Sequence, residues 1–190
     1  MKNKSFFTIP NILTLLRIVL IPLLVFVFFE YYEQKPFLPA VIFAVAAITD
    51  LFDGFIAKRF NMISDAGKVL DPLADKLFLN TMLLCFVIKA GGLIITLLLI
   101  INVVKEIYLI TAGTLLYKRK FILSSKFIGK AATFVLNLGI IFYFFVPYLK
   151  ELQIVAESLF VLGLVLSLSS AVYYTVTVYK QTGGRLPPKS

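Results

Sequence analysis

The chain has 190 residues, 60% hydrophobic and 15% charged, with 19 phenylalanines and a formal net charge of +9. A soluble domain carries about 45–50% apolar residues, so this composition excludes an ordinary water-soluble domain and implies a single integral membrane domain. The absence of histidine removes His-based metal sites, His general bases and Ser-His triads, and the one cysteine, Cys85, lies in an apolar run and forms no internal disulfide.

Residues 1–9 carry Lys2 and Lys4 ahead of an apolar run, as a signal peptide does. No small-x-small cleavage site followed by a soluble segment comes after them, so this start is expected to be retained. A spanning helix needs about 20 mainly apolar residues. Six stretches qualify: 11–29, interrupted by Arg17; 37–56, ending in Asp50 and Asp53; 70–89, beginning with Asp71 and Asp75; 93–117, carrying Lys105 and Glu106; 127–148; and 154–179. The expected fold is therefore an all-α bundle of six transmembrane helices over residues 1–180. The polar, Pro- and Gly-rich tail 181–190 is expected to be a flexible end.

Loop charge sets the orientation. Lys2 and Lys4, the second-to-third connection (Lys58, Arg59, Lys68), the fourth-to-fifth (Lys118, Arg119, Lys120, Lys126) and the tail (Lys180, Arg185, Lys189) are basic. The alternate connections hold only Lys35, Lys89 and Lys150, with Glu30, Glu33 and Glu151. Both termini are thus expected in the cytoplasm. The basic collar faces anionic membrane lipid there, and no nucleic-acid partner is expected.

Asp50, Asp53, Asp71 and Asp75 are the most costly residues in this pattern, because a charge near hydrocarbon is expensive unless paired or hydrated. Spacings of three and four put each pair on one helix face. An antiparallel pairing of the two helices gathers all four carboxylates at the cytoplasmic end, where like charges repel. A divalent cation relieves that repulsion. All-oxygen ligands suit Mg²⁺, Mn²⁺ or Ca²⁺, and magnesium commonly completes its shell with substrate phosphates. Gly54 and Gly67 allow close approach of a ligand or of a neighbouring helix, and Pro72 suits a helix start or a kink. The competing arrangement pairs the acids with Lys58, Arg59, Lys68 and Lys76, but Lys76, adjacent to Asp75 in sequence, does not face it. Another alternative is an ion path, which would spread acids through the membrane depth; here they collect at one end of two spans.

These residues resemble the signature of the CDP-alcohol phosphotransferase family, D-x-x-D-G-x-x-A-R, eight residues, G-x-x-x-D-x-x-x-D. Asp50, Asp53, Gly54 and Ala57 match, Lys58 takes the place of the arginine with Arg59 after it, and Gly67, Asp71 and Asp75 follow at the family spacing. The opening Ile9-Pro10-Asn11-Ile12-Leu13-Thr14-Leu15-Leu16-Arg17 is similar to the phosphatidylglycerophosphate synthase and eukaryotic-type cardiolipin synthase branch. The resemblance implies a homodimeric, six-span enzyme whose two divalent cations, Mg²⁺ or Mn²⁺, engage the pyrophosphate of CDP-diacylglycerol. It implies that Asp50, Asp53 and Asp71 hold one ion, and that Asp50, Asp71 and Asp75 hold the other unless Asp75 serves as base. Asp53, Gly54, Ala57, Lys58 and Gly67 then contact the CDP moiety. An acceptor hydroxyl attacks the β-phosphorus and CMP leaves.

The acceptor is to be read from residues 105–133. Lys105, Lys118, Arg119, Lys126 and Lys130 are candidates for an acceptor phosphate, and Arg17 for a headgroup or phosphate role, for pairing with an aspartate or for reaching the surface. The glycerophosphate users have a second arginine where this chain has Gly113, and a second lysine where Gly129-Lys130-Ala131-Ala132-Thr133 has alanine. Both departures point toward the cardiolipin synthase type, with phosphatidylglycerol as acceptor. The compact chain and its opening segment point to glycerol 3-phosphate, which is the expected acceptor.

Overall fold

The computed structural model describes the backbone of residues 9–59, 67–118 and 127–181, and the side chains of 12–49, 73–112, 128–177 and 179. All regular structure in these residues is helical. Six helices follow in order: α1 (Ile9–Tyr31), α2 (Phe37–Arg59), α3 (Gly67–Lys89), α4 (Leu93–Lys118), α5 (Phe127–Phe144) and α6 (Leu152–Gln181). Within the described residues, Ile12–Tyr31, Leu93–Ala112 and Leu152–Thr177 are long and apolar enough to cross a membrane, while Phe37–Thr49 and Ile128–Phe144 are shorter apolar helices.

The helix ends have local causes. After α3, Gly91 and Gly92 take φ values of 69° and 107°, a region that favours glycine. The Gly91 amide donates back to the Phe86 and Val87 carbonyls, so α3 is capped and the chain reverses over three residues. α5 stops at Phe144 rather than at the expected 148. Pro147 has no N–H, and its ring would clash with the carbonyl four residues back. The chain instead closes in turns, with the Val146 amide on the Tyr143 carbonyl (3.3 Å) and the Tyr148 amide on the Phe145 carbonyl (3.0 Å).

Side-chain contacts tie three connections together at one end of the bundle. Lys89, ending α3, pairs with Glu33, just before α2, at 3.1 Å. The Tyr148 hydroxyl donates to the Gln34 carbonyl at 2.5 Å. α2 therefore begins where α3 ends, and the two helices are antiparallel. Behind this end lies an aromatic core. The Phe86 ring centroid stands 5.2 Å from Phe28, 5.1 Å from Phe144 and 4.7 Å from Tyr143, at the offset and edge-on geometries aromatic pairs prefer.

Around the core the helices form a closed circuit. α1 touches α2 and α3, α3 touches α4, α4 touches α6, α6 touches α5, and α5 returns to α2. The α5–α6 contact is the most extensive, because glycines face large side chains across it. A Cβ at Gly139 would stand 2.6 Å from the Phe160 ring, and one at Gly163 would stand 2.7 Å from the Leu136 side chain. The outward faces are apolar, as at Val19, Phe26, Val104, Ile107, Val161 and Val165, and lipid tails solvate such faces without penalty.

Candidate active site

Asp50, Asp53, Gly54, Ala57 and Lys58 all lie in the C-terminal part of α2, and Gly67, Asp71 and Asp75 in the first turns of α3. Of these, only Asp75 has a described side chain. The backbone nonetheless relates the two segments. Phe43 of α2 stacks on Phe78 of α3 with centroids 5.0 Å apart. Asp50 lies seven residues after Phe43 and Asp71 seven before Phe78. In antiparallel helices both steps run about 10 Å toward the same end, and seven residues is close to two full turns. The signature positions of α2 and α3 thus share one end of the bundle, opposite the Glu33–Lys89 end.

Asp75 is met from α1. The Arg17 guanidinium donates from its Nη1 to Asp75 Oδ1. Arg17 is 3% exposed and the Asp75 side chain 32%, so a buried cation holds a partly open carboxylate. Of the readings open for Arg17, this is the pairing with an aspartate, and Asp75 is the partner.

Beside it lies a network that links α3, α4 and α6. Lys76, next to Asp75, turns away toward α4 and pairs with Glu106 Oε2. Lys105 Nζ reaches Glu106 Oε1 at 2.6 Å, Asn102 Oδ1 at 3.0 Å and Ser167 Oγ at 2.5 Å. Asn102 Nδ2 donates to Asn80 Oδ1 at 2.8 Å, and Asn80 Nδ2 donates to the Lys76 carbonyl at 2.8 Å. Asn102 and Ser167 are buried. An ammonium has three N–H bonds, and Lys105 has an acceptor for each.

Of the other acceptor candidates, Lys130 is exposed on the first turn of α5. Lys118 ends α4 with its side chain outside the described residues, and Arg119 and Lys126 lie outside them altogether. Sequence reasoning drew attention to Arg17, Lys105 and Glu106, but missed Asn80, Asn102 and Ser167. Two asparagines inside apolar helices were the available signal, since polar groups there must find partners.

The profile of the CDP-alcohol phosphatidyltransferase family matches residues 7–171, and the chain belongs to that family. Among curated relatives, the CDP-diacylglycerol–glycerol-3-phosphate 3-phosphatidyltransferases of Salmonella choleraesuis (strain SC-B67) and Escherichia coli (strain K12) are each 53% identical over 70 residues. That match covers 37% of this chain and 38% of the length of each relative.

Proposed function

We propose that the protein transfers the phosphatidyl group of CDP-diacylglycerol to an alcohol, with glycerol 3-phosphate as the acceptor, and releases CMP. The observation that carries this reading is the complete set of four signature aspartates at one end of the antiparallel α2–α3 pair, in a chain matched by the family over residues 7–171. The relatives' names support the acceptor.

The donor set fits hard divalent cations: carboxylates, with no histidine in the chain. Asp50, Asp53, Asp71 and Asp75 would hold two ions, Mg²⁺ or Mn²⁺, which when bound neutralise the phosphate oxygens around the attacked phosphorus. Asp53, Gly54, Ala57, Lys58 and Gly67 would contact the CDP moiety. Asp75, which Arg17 contacts, would either complete the ligands of the second ion or take the proton of the attacking hydroxyl as the hydroxyl oxygen bonds to the β-phosphorus and the bond to CMP breaks. The domain, residues 1–180, crosses the membrane six times with both termini and the site in the cytoplasm, and it works as a homodimer. A site at that surface admits a lipid sideways and glycerol 3-phosphate from water.

The test is CMP release from labelled CDP-diacylglycerol by purified protein, with glycerol 3-phosphate, phosphatidylglycerol, serine and inositol offered in turn. Release is expected with glycerol 3-phosphate, lost on chelation, restored by Mg²⁺ or Mn²⁺, and abolished by Asp71→Asn in a protein that still folds. Turnover with phosphatidylglycerol alone would reassign the acceptor, and no release with any of the four overturns the reading.

A further inference from the structure

We propose that Lys76 is a phosphate-contacting residue of this site, and that Glu106 and Lys105 are positioning residues that act through it. The inference rests on the phosphatidyltransferase reading and adds a ligand contact to the same site. Lys105 is one of the side chains the sequence nominates for an anion, yet its geometry commits it elsewhere. It is 9% exposed, and protein acceptors on α4 and α6 stand at 2.5, 2.6 and 3.0 Å, one for each of its N–H bonds. Glu106 is 14% exposed and has one oxygen on each lysine. Lys76 is the member that reaches the surface, with a side chain 33% exposed, on the residue directly after Asp75.

The bonds form a closed ring. Lys76 binds Glu106, Glu106 binds Lys105, Lys105 binds Asn102, Asn102 binds Asn80, and Asn80 returns to the Lys76 carbonyl. Ser167 anchors the ring to α6. A ring whose five members all lie on neighbouring turns of α3 and α4 fixes the lysine before a ligand arrives, which is how preorganised charge gains strength. Among the described residues, two ammonium groups share one carboxylate in this ring, and a partly buried ammonium attracts an anion more strongly than one in open water does. In a phosphatidyltransferase the available anions are phosphates: the pyrophosphate of the donor or the phosphomonoester of the acceptor.

The experiment measures kcat, both KM values and thermal unfolding in detergent for wild type, Lys76→Met, Lys76→Arg, Glu106→Gln, Lys105→Met and the Lys76→Met/Lys105→Met double variant. Lys76→Met is expected to raise one KM about tenfold or more, the scale of a lost charge-assisted hydrogen bond, and Lys76→Arg to recover most of it. A rise in the glycerol 3-phosphate KM assigns the contact to the acceptor phosphate. A rise in the CDP-diacylglycerol KM assigns it to the pyrophosphate. Lys105→Met and Glu106→Gln are expected to raise the same KM less, and Lys105→Met to add nothing once Lys76 is gone. Unchanged KM values in Lys76→Met, with kcat kept or lost, overturn the proposal, as does a full Lys105→Met effect in the double variant. Should Lys76→Met fail to fold, Lys76→Gln and Glu106→Gln decide by the same criterion. A wild type that releases no CMP refutes the parent reading, whereas an active wild type with unmoved KM values refutes only this inference.

Discussion

Arg17 is the residue on which a charge in the first helix depends for its purpose. At 3% exposure it is not a lysine-like side chain reaching for the surface, and its guanidinium presents a planar fork that a lysine cannot copy. Because it engages one oxygen of Asp75, its loss should be felt first in the orientation of that carboxylate. We expect Arg17→Met to lower kcat about tenfold or more, and Arg17→Lys to recover only part of it. Breaking a fully buried ion pair costs about 3–5 kcal/mol, but Asp75 is 32% exposed and water can reach it when Arg17 is removed. The stability loss should therefore fall below that range, so activity and unfolding separate. Equal, large losses in both would mean that Arg17 is a packing element only. The pair was half legible in advance. The cost of a charge in an apolar stretch marks Arg17, but its choice of Asp75, 58 residues away, is decided by the crossing of α1 and α3.

At the scale of elements, the apolar stretches of the sequence anticipated all six helices, although only α1, α4 and α6 are long apolar runs among the described residues. The exception was the end of α5. An apolar run continues to Tyr148, but Pro147 breaks the hydrogen-bonding ladder before the hydropathy changes. The candidate site was legible to the extent that sequence spacing determines helix positions: its four aspartates lie at fixed intervals on α2 and α3. The ring around Lys105 was not, since Asn80 and Asn102 meet across two helices and Ser167 lies 62 residues from Lys105. Helix packing also makes its own prediction. Gly163 leaves room for Leu136, whose main-chain nitrogen lies 3.3 Å from a built Cβ while its side chain lies at 2.7 Å. Among the described residues, Gly129 faces only the Ser170 hydroxyl, at 3.2 Å. Gly163→Ala should then destabilise the protein by about 1–3 kcal/mol, the cost of overpacking, and Gly129→Ala by clearly less. Unfolding titrations of both variants in mixed micelles check the order, and equal effects would show that the α5–α6 interface yields easily.

For the whole molecule, the shared ends of the bundle and the distribution of charge together predict an orientation. The first is structural: the Glu33–Lys89 and Tyr148–Gln34 contacts put the 32–36, 90–92 and 145–151 connections on one end of the bundle. The second is electrostatic: that end carries Lys35, Lys89 and Lys150 along with acids, whereas the sequence concentrates Lys58, Arg59, Lys68, Lys118, Arg119, Lys120 and Lys126 in the opposite connections. Positive charge is retained on the cytoplasmic side, so the aspartate end of α2 and α3 should face the cytoplasm, where a water-soluble acceptor is met. Single cysteines in a Cys85→Ala background test this, with the buried native thiol removed to leave one reporter at a time. Lys35→Cys and Lys150→Cys are expected to react with a membrane-impermeant maleimide in intact cells. Asn61→Cys and Ser124→Cys should react only after the membrane is opened. The reverse pattern would put the site outside. Labelling of Lys35→Cys and Lys150→Cys from opposite sides would contradict the end shared by the 32–36 and 145–151 connections.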